Sequence, residues 1–320
     1  MRPFLIDTDT ASDDAVALIM ALSAPDVEVV AITTVAGNVS VGQATRNALY
    51  TVELCGAATP VHVGAATPLL RRHEHAHWFH GRDGLSDRGY PAPRGHAQAM
   101  HAADAIVAAA HAHPGLTLVT LGPLTNVALA LARDPSLAGR VPRCVAMGGA
   151  PCCEGNVTPA AEYNIWVDPE AARMVFRSAL PVVMVGWHLC RGAAALDDRD
   201  VRQVLALGTD KARFAIECNS RAREAYKEQT GEDSIALPDP TAMAIALDRS
   251  IGTEWSRHAV EIETHSELTR GMTVVDRLNV THDANNGAAW GDALAGGATA
   301  DICWALDVTR FKAMLMAALR

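Results

Sequence analysis

The run Asp7-Thr8-Asp9-Thr10-Ala11-Ser12-Asp13-Asp14 sets four carboxylates within eight residues. Like charges at that density repel one another and weaken a fold unless something positive lies among them. Asp13 and Asp14 fall in the first turn of an expected helix, where the helix dipole and free N–H groups favour negative charge. That offsets part of the repulsion and leaves Asp7 and Asp9 uncompensated. A hard divalent cation, calcium or magnesium, takes carboxylate oxygens and would neutralise the group. The plainer alternative is a capped helix start with solvated acids. A further acid, Asp239, stands between two prolines in Leu237-Pro238-Asp239-Pro240-Thr241, just before an apolar helical stretch. It reads either as an N-cap or as one more member of the acidic site.

The elements that must position these acids follow from the hydrophobic pattern. Short apolar runs over Pro3–Ile6, Val27–Val35, Val61–Gly64, Leu116–Leu121, Cys144–Met147 and Pro181–Val185 predict strands. Helix-period segments over Asp13–Ser23, Gly42–Leu54 and about 101–111, 123–133 and 168–178 lie between them. Strands separated by helices build βαβ units, so the fold class is α/β: an open, mainly parallel sheet flanked by helices. Ligands bind such sheets at the carboxyl ends of the strands. The acidic run ends the first strand, Gly37-Asn38 follows the second, and Leu121-Gly122-Pro123-Leu124-Thr125-Asn126 and Gly148-Gly149 follow later ones. Gly155-Asn156 and Glu162-Tyr163-Asn164 come shortly after. Singly, each Asn or Gly suits a turn or a cap. Together they converge on one rim.

Two stretches break the rhythm. Residues 65–100 hold four histidines within Arg72–His80, then Gly81, Gly84 and Gly89, and read as a long surface loop or lid. The alternation of His73, His75 and His77 fits a solvated loop, or else a zinc site. Residues 198–250 read as successive helices, a helical insertion within a single domain spanning 1–320. Strand-like runs return at Ala259–Ile262, Met272–Val275 and Leu278–Thr281, and a helix over Thr309–Leu319 ends the chain.

Composition narrows the function classes. The 320 residues carry a net charge of −9 and are 49% apolar, enough for a full core without staples. An acidic balance argues against duplex nucleic acid or an anionic membrane as partner. No apolar run approaches the ~20 residues of a membrane span. A carboxylate at position 7 comes too early for a secretory signal, so the expected location is cytoplasmic. Seven cysteines with no CxxC pair are expected as reduced thiols, with a redox or nucleophilic role as the other reading.

Taken in order, these segments resemble the inosine–uridine-preferring nucleoside hydrolase family, from the first strand to the last helix. The family's opening Asp-x-Asp-Pro-Gly-x-Asp-Asp stands here as Asp7 to Asp14, its Ala-Gly-Asn as Ala36-Gly37-Asn38, and its Gly-Pro-Leu-Thr-Asn as Gly122 to Asn126. Gly155-Asn156, Ala161-Glu162-Tyr163-Asn164-Ile165 and Asp168-Pro169-Glu170-Ala171-Ala172 continue the match. The resemblance implies a calcium-dependent N-glycosidase that splits a ribonucleoside into ribose and free base, in purine or pyrimidine salvage. By that likeness Asp9, Asp14, Asp239 and the backbone carbonyl of Thr125 hold Ca2+, and Asp9 is the general base. Asp13, Asn38, Asn156, Glu162 and Asn164 grip the ribose hydroxyls, and the chain is a homo-oligomer, dimer or tetramer. Hydrolysis of this bond passes through an oxocarbenium-like state, which carboxylates and amide oxygens stabilise.

The chain departs from the family at three places. Thr10-Ala11 replaces Pro-Gly in the signature. Pro238 stands where many members carry a histidine that protonates the departing base. Gly186-Trp187-His188 replaces a Gly-Leu-Asp run, which makes Trp187 and His188 substrate-side candidates. For the leaving group the candidates are then His80 and Tyr226, with Trp78 or Trp187 acting by stacking. Two other classes compete: a non-catalytic nucleoside- or ribose-binding homologue, and a haloacid-dehalogenase-type phosphatase with Asp7-Thr8-Asp9-Thr10 as its nucleophile loop.

Overall fold

A computed structural model of the chain describes residues 1–283, 285–286 and 299–320. Apolar, largely β-branched runs form six strands: β1 (Arg2–Thr8), β2 (Val27–Thr34), β3 (Val61–Val63), β4 (Thr117–Thr120), β5 (Arg143–Met147) and β6 (Val182–Val185). All six pair in parallel with their neighbours. Three more, β7 (Gly252–Ile262), β8 (Thr273–Val275) and β9 (Thr299–Leu306), extend the sheet to the order β3-β2-β1-β4-β5-β6-β9-β7-β8. Strand β9 lies parallel to β6, and β7 runs antiparallel to both β9 and β8. The expected open, mainly parallel α/β sheet is what the chain forms.

Helices cover both faces, as an all-parallel core requires. The period of two along β1 divides the apolar residues: Phe4 and Ile6 enter one core, Leu5 the other. The first core packs α1 (Ser12–Ser23) and α2 (Val41–Leu54) on the sheet. A short turn, α3 (His77–His80), precedes the second layer of α4 (Ala102–Ala112), α5 (Thr125–Arg133), α6 (Leu137–Arg140), α7 (Tyr163–Val167) and α8 (Pro169–Phe176). The expected helical stretch holds α9 (Asp198–Leu205), α10 (Asp210–Glu217), α11 (Ser220–Thr230) and α12 (Pro238–Leu247). Of these, α12 is buried along Asp239–Ala246 and packs against α1 and β5, so it is part of the first core. The helix Val308–Ala318 closes the chain.

Two expectations at the carboxyl-terminal end are corrected. Leu278–Thr281 is a turn entering a 3-10 helix, because Asn279 adopts a left-handed φ of 56° and the Asp276 carboxylate accepts from Val280 and Thr281 N–H. Strand β9, for which no run was expected, takes its place in the sheet. Residues 65–100 form the anticipated irregular stretch, broken only by α3 and an isolated bridge from Gln98 to His62. All seven cysteines are free thiols, and no helix among the described residues is long and apolar enough to cross a membrane.

Asp168 ties the second layer together. It caps α8 by accepting from Ala171 N–H at 3.0 Å, and accepts from Leu69 N–H at 2.9 Å and Thr125 Oγ1 at 2.6 Å. Replacing Asp168 with Ala removes all three bonds in a fully buried place and is expected to destabilise the fold by about 2–4 kcal/mol. Urea unfolding reads this directly; a loss under about 0.5 kcal/mol, the level of an ordinary surface change, would contradict it.

Candidate active site

Strand β1 lies between β2 and β4: the chain runs outward through β2 to β3, then crosses to β4 on the other side of β1. That reversal opens a crevice at the carboxyl ends. Asp9 stands one residue past β1, Gly37-Asn38 past β2, Gly122 to Thr125 past β4 and Gly148-Gly149 past β5. The topology thereby delivers the residues to one rim.

The floor is acidic and dry. Asp14 accepts from Thr8 Oγ1 at 2.6 Å and, through its other oxygen, from Ala11 N–H at 2.9 Å at the start of α1. Asp9 Oδ2 accepts from Asn38 N–H at 2.5 Å, while Asp9 Oδ1 is buried without a partner. Carboxylate oxygens of Asp13, Asp14 and Asp239 all lie within 4.8 Å of one another. Asp239 sits in the first turn of α12 beyond its cap, Leu237, so it is not the N-cap that the bland reading offered. Burial pushes Asp13 up to about 7 and raises Asp14. Burial, with the neighbouring acids adding to it, holds Asp9 and Asp239 well above the usual carboxylate range. Backbone approach completes the cradle: a Cβ at Gly37 would collide with the Asp9 carboxylate, and one at Gly122 would come within 2.7 Å of its Oδ1. Thr125 is buried, and its hydroxyl donates to Asp168. Asp7 is turned away, accepting from Thr33 Oγ1 at 2.6 Å and Asn126 Nδ2 at 2.8 Å.

Above the floor opens a pocket whose empty space, its open mouth included, is about 670 Å³. Among the expected residues, Asp13, Asn38, His80, Asn156, Glu162, Asn164, Trp187 and Asp239 line it, and Pro238 is in its wall. Glu162 caps α7: one oxygen accepts from Asn164 N–H at 2.9 Å, the other from Gly149 N–H at 2.8 Å and Ile165 N–H at 3.3 Å. Asn164 Nδ2 donates to Leu121 O at 2.8 Å, and Asn156 Oδ1 accepts from Tyr163 N–H at 2.9 Å. Each side chain is thus held by one end.

Comparisons with known proteins show the family. The family model described as inosine–uridine preferring nucleoside hydrolase matches residues 4–313. The chain belongs to that family. It is 36% identical over 282 residues to the inosine–uridine preferring nucleoside hydrolase of Crithidia fasciculata, covering 87% of this chain and 89% of that one. It is 38% identical over 286 residues to a pyrimidine-specific ribonucleoside hydrolase, RihA, of Shewanella, covering 88% of each. Among solved structures, a plant nucleoside hydrolase, PpNRh1, superposes with a TM-score of 0.91 at 30% identity, covering 99% of this chain and 98% of that one.

As a nucleoside hydrolase the chain is an enzyme, and its departures from the family pattern can be placed. His80 lies in the wall with Nδ1 2.8 Å from Ser12 Oγ and 4.0 Å from Asp13. Burial pushes its ring down to about 3, so it is neutral near pH 7 and offers one N–H. Tyr226 is not among the residues lining the cavity: it packs behind Trp187, ring centroids 6.4 Å apart, and its hydroxyl donates to Glu232. His188 also lies off the cavity, with Nε2 3.2 Å from Cys303 O and its ring beside Trp304. Trp78, half exposed, and Phe79 form part of the mouth. His73 meets the ring of His75 edge-on and His75 stacks on His77, with His73 Nε2 at 2.7 Å from Gly37 O. The acidic trio is the group of metal-capable side chains found among the described residues, and these histidines are not in it.

Two polar wall residues were not foreseen from the sequence. Gln229, near the end of α11, donates through Nε2 to Asn156 O at 2.7 Å and so ties that helix to the loop before α7. Asn219, just before α11, lies wholly buried in the wall. The only signal for either was its place in the helical stretch.

Proposed function

We propose that this nucleoside hydrolase cleaves the N-glycosidic bond of ribonucleosides with water, releasing ribose and free nucleobase, and that it holds calcium through Asp9, Asp14, Asp239 and the Thr125 carbonyl. The observation that carries this reading is the gathering of the Asp13, Asp14 and Asp239 carboxylates within 4.8 Å beneath a cavity walled by amide side chains. The donor set consists of oxygens, it is desolvated, and it includes the partnerless Asp9 Oδ1. That set fits a hard cation. Bound there, calcium would supply the positive charge that keeps these acids ionised, and Lewis acidity toward oxygen.

The remaining work belongs to the chain's own groups. Asn38 N–H holds the Asp9 carboxylate, which takes the proton of the attacking water. Three backbone N–H groups fix the Glu162 carboxylate, which sets its charge against the positive charge developing on the ribose. Asn164 has Oδ1 left to accept, and Asn156 has Nδ2 left to donate; with Asp13 and Asn38 they pair the ribose hydroxyls. Pro238 has no proton to give the departing base and neutral His80 gives one N–H, so aromatic surface at Trp78 and Trp187 shares in stabilising it.

A haloacid-dehalogenase-type phosphatase needs a free nucleophilic acid at Asp7, which is buried and hydrogen-bonded into the sheet. The reading also includes a cytoplasmic homo-oligomer, whose size light scattering on the eluted protein would give. The deciding experiment is a panel of inosine, uridine, guanosine and cytidine with calcium, scored for free base and reducing sugar. Equimolar ribose and base are expected. Binding without release would instead identify a nucleoside-binding homologue.

A further inference from the structure

We propose that Asn219 is a specificity-determining residue whose side-chain oxygen accepts a hydrogen bond from an N–H or amino group on the edge of the departing nucleobase. This inference rests on the nucleoside reading above. Asn219 is fully buried, yet it forms part of the cavity wall. Its orientation is set by the protein. Nδ2 donates to Ala215 O at 2.9 Å and Ser12 O at 3.4 Å, and lies 3.4 Å from Cys218 Sγ. Only the NH2 end can face two carbonyl oxygens; the flipped amide would set oxygen against oxygen. The atom left over is Oδ1, which is buried and has no partner. A buried acceptor without a donor is costly, and a ligand that brings the donor removes that cost.

The base is the part of the substrate that fits. The ribose hydroxyls already have Asn38, Asn156, Glu162 and Asn164. Asn219 belongs to the α11 wall with Ala222, and the cavity there is completed by apolar and aromatic surface such as Phe79, Trp187 and Ala236. Such surface stacks on any base without telling one from another. A single fixed acceptor adds the discrimination: hypoxanthine through N1–H and uracil through N3–H are favoured over a base whose edge has no donor. Sites built around a hydrogen bond reject analogues that cannot make it far more strongly than apolar pockets reject a change of shape.

The test compares inosine with purine riboside, which lacks the N1–H, in the calcium-supplied protein and its Asn219→Ala variant. Dividing the kcat/KM ratio of the two substrates in the wild type by that in the variant cancels their different intrinsic reactivities. A quotient of about tenfold or more is expected. A merely structural role for Asn219 would lower both substrates alike and overturn the proposal, as would a quotient near one. A selective change toward 5′-deoxyinosine would also overturn it by assigning the acceptor to the sugar. Dissociation constants for inosine and purine riboside in an Asp9→Asn background, where inosine is not consumed, read the same preference without turnover and without altering Asn219. Inosine binding at least about tenfold tighter supports the proposal, and equal binding refutes it. If the wild type releases ribose from no nucleoside, the hydrolase reading fails, and the same constants measured with and without Asn219→Ala still decide the role of Asn219.

Discussion

Asp9→Asn is expected to lower kcat by about three orders of magnitude or more while the protein stays folded. Asparagine keeps the shape and still presents an oxygen to Asn38 N–H, so the loop after β2 remains tethered. What is lost is the basic carboxylate: the amide can no longer take a proton, and the floor gives up one negative charge. The fold should not suffer. In the absence of a cation Asp9 is a desolvated acid beside Asp14, and neutralising it relieves repulsion. A thermal transition unchanged or raised in calcium-free buffer, together with the collapse of kcat, is the expected pair of results. Turnover within tenfold of wild type would remove Asp9 from the role of base.

Calcium removal is expected to have the other large effect. Exhaustive chelation should abolish hydrolysis, and added calcium should restore it in full. A second readout does not depend on turnover. An ion that binds the native floor and not the unfolded chain adds about 2.7 kcal/mol of stability at a hundredfold excess over its dissociation constant. The unfolding midpoint should therefore rise with calcium, and it should rise less in Asp239→Asn, which lacks one of the clustered carboxylates. Full activity and an unmoved midpoint in metal-free protein would refute the cation. The sign follows from burial: Asp9, Asp13, Asp14 and Asp239 are all held above their ordinary range, so every one of them gains when positive charge arrives.

Much of this was legible in the sequence because the informative features are local. β1 to β6 are short β-branched runs broken by helix-period segments, and the acids and amides fall just past their ends. What escaped prediction depends on tertiary partners. β9 carries Asp301 and Trp304 amid apolar residues and is held between β6 and β7, a placement no local pattern announces. Leu278–Thr281 has the composition of a strand, but Asn279 and the Asp276 carboxylate turn it. At the site, the clustered acids and most of the polar wall were readable, and Asn219 and Gln229 were not. Spacing from Asp239 puts Tyr226 in the right region, yet the face it presents is set by packing on Trp187. A lone asparagine before a helix reads as a cap, and Asn219 makes no capping bond.

The clustered carboxylates also have a place in time. Asp14 and Asp239 share one floor but stand 239 − 14 = 225 residues apart in the chain. At roughly 5–20 residues per second of synthesis, Asp239 emerges about 10–45 s after Asp14. The contacts of α12 with α1, and with them the cluster, can form only once residue 239 has been made. A calcium ion held there as proposed would need both ends of the chain, and its binding would mark completed folding.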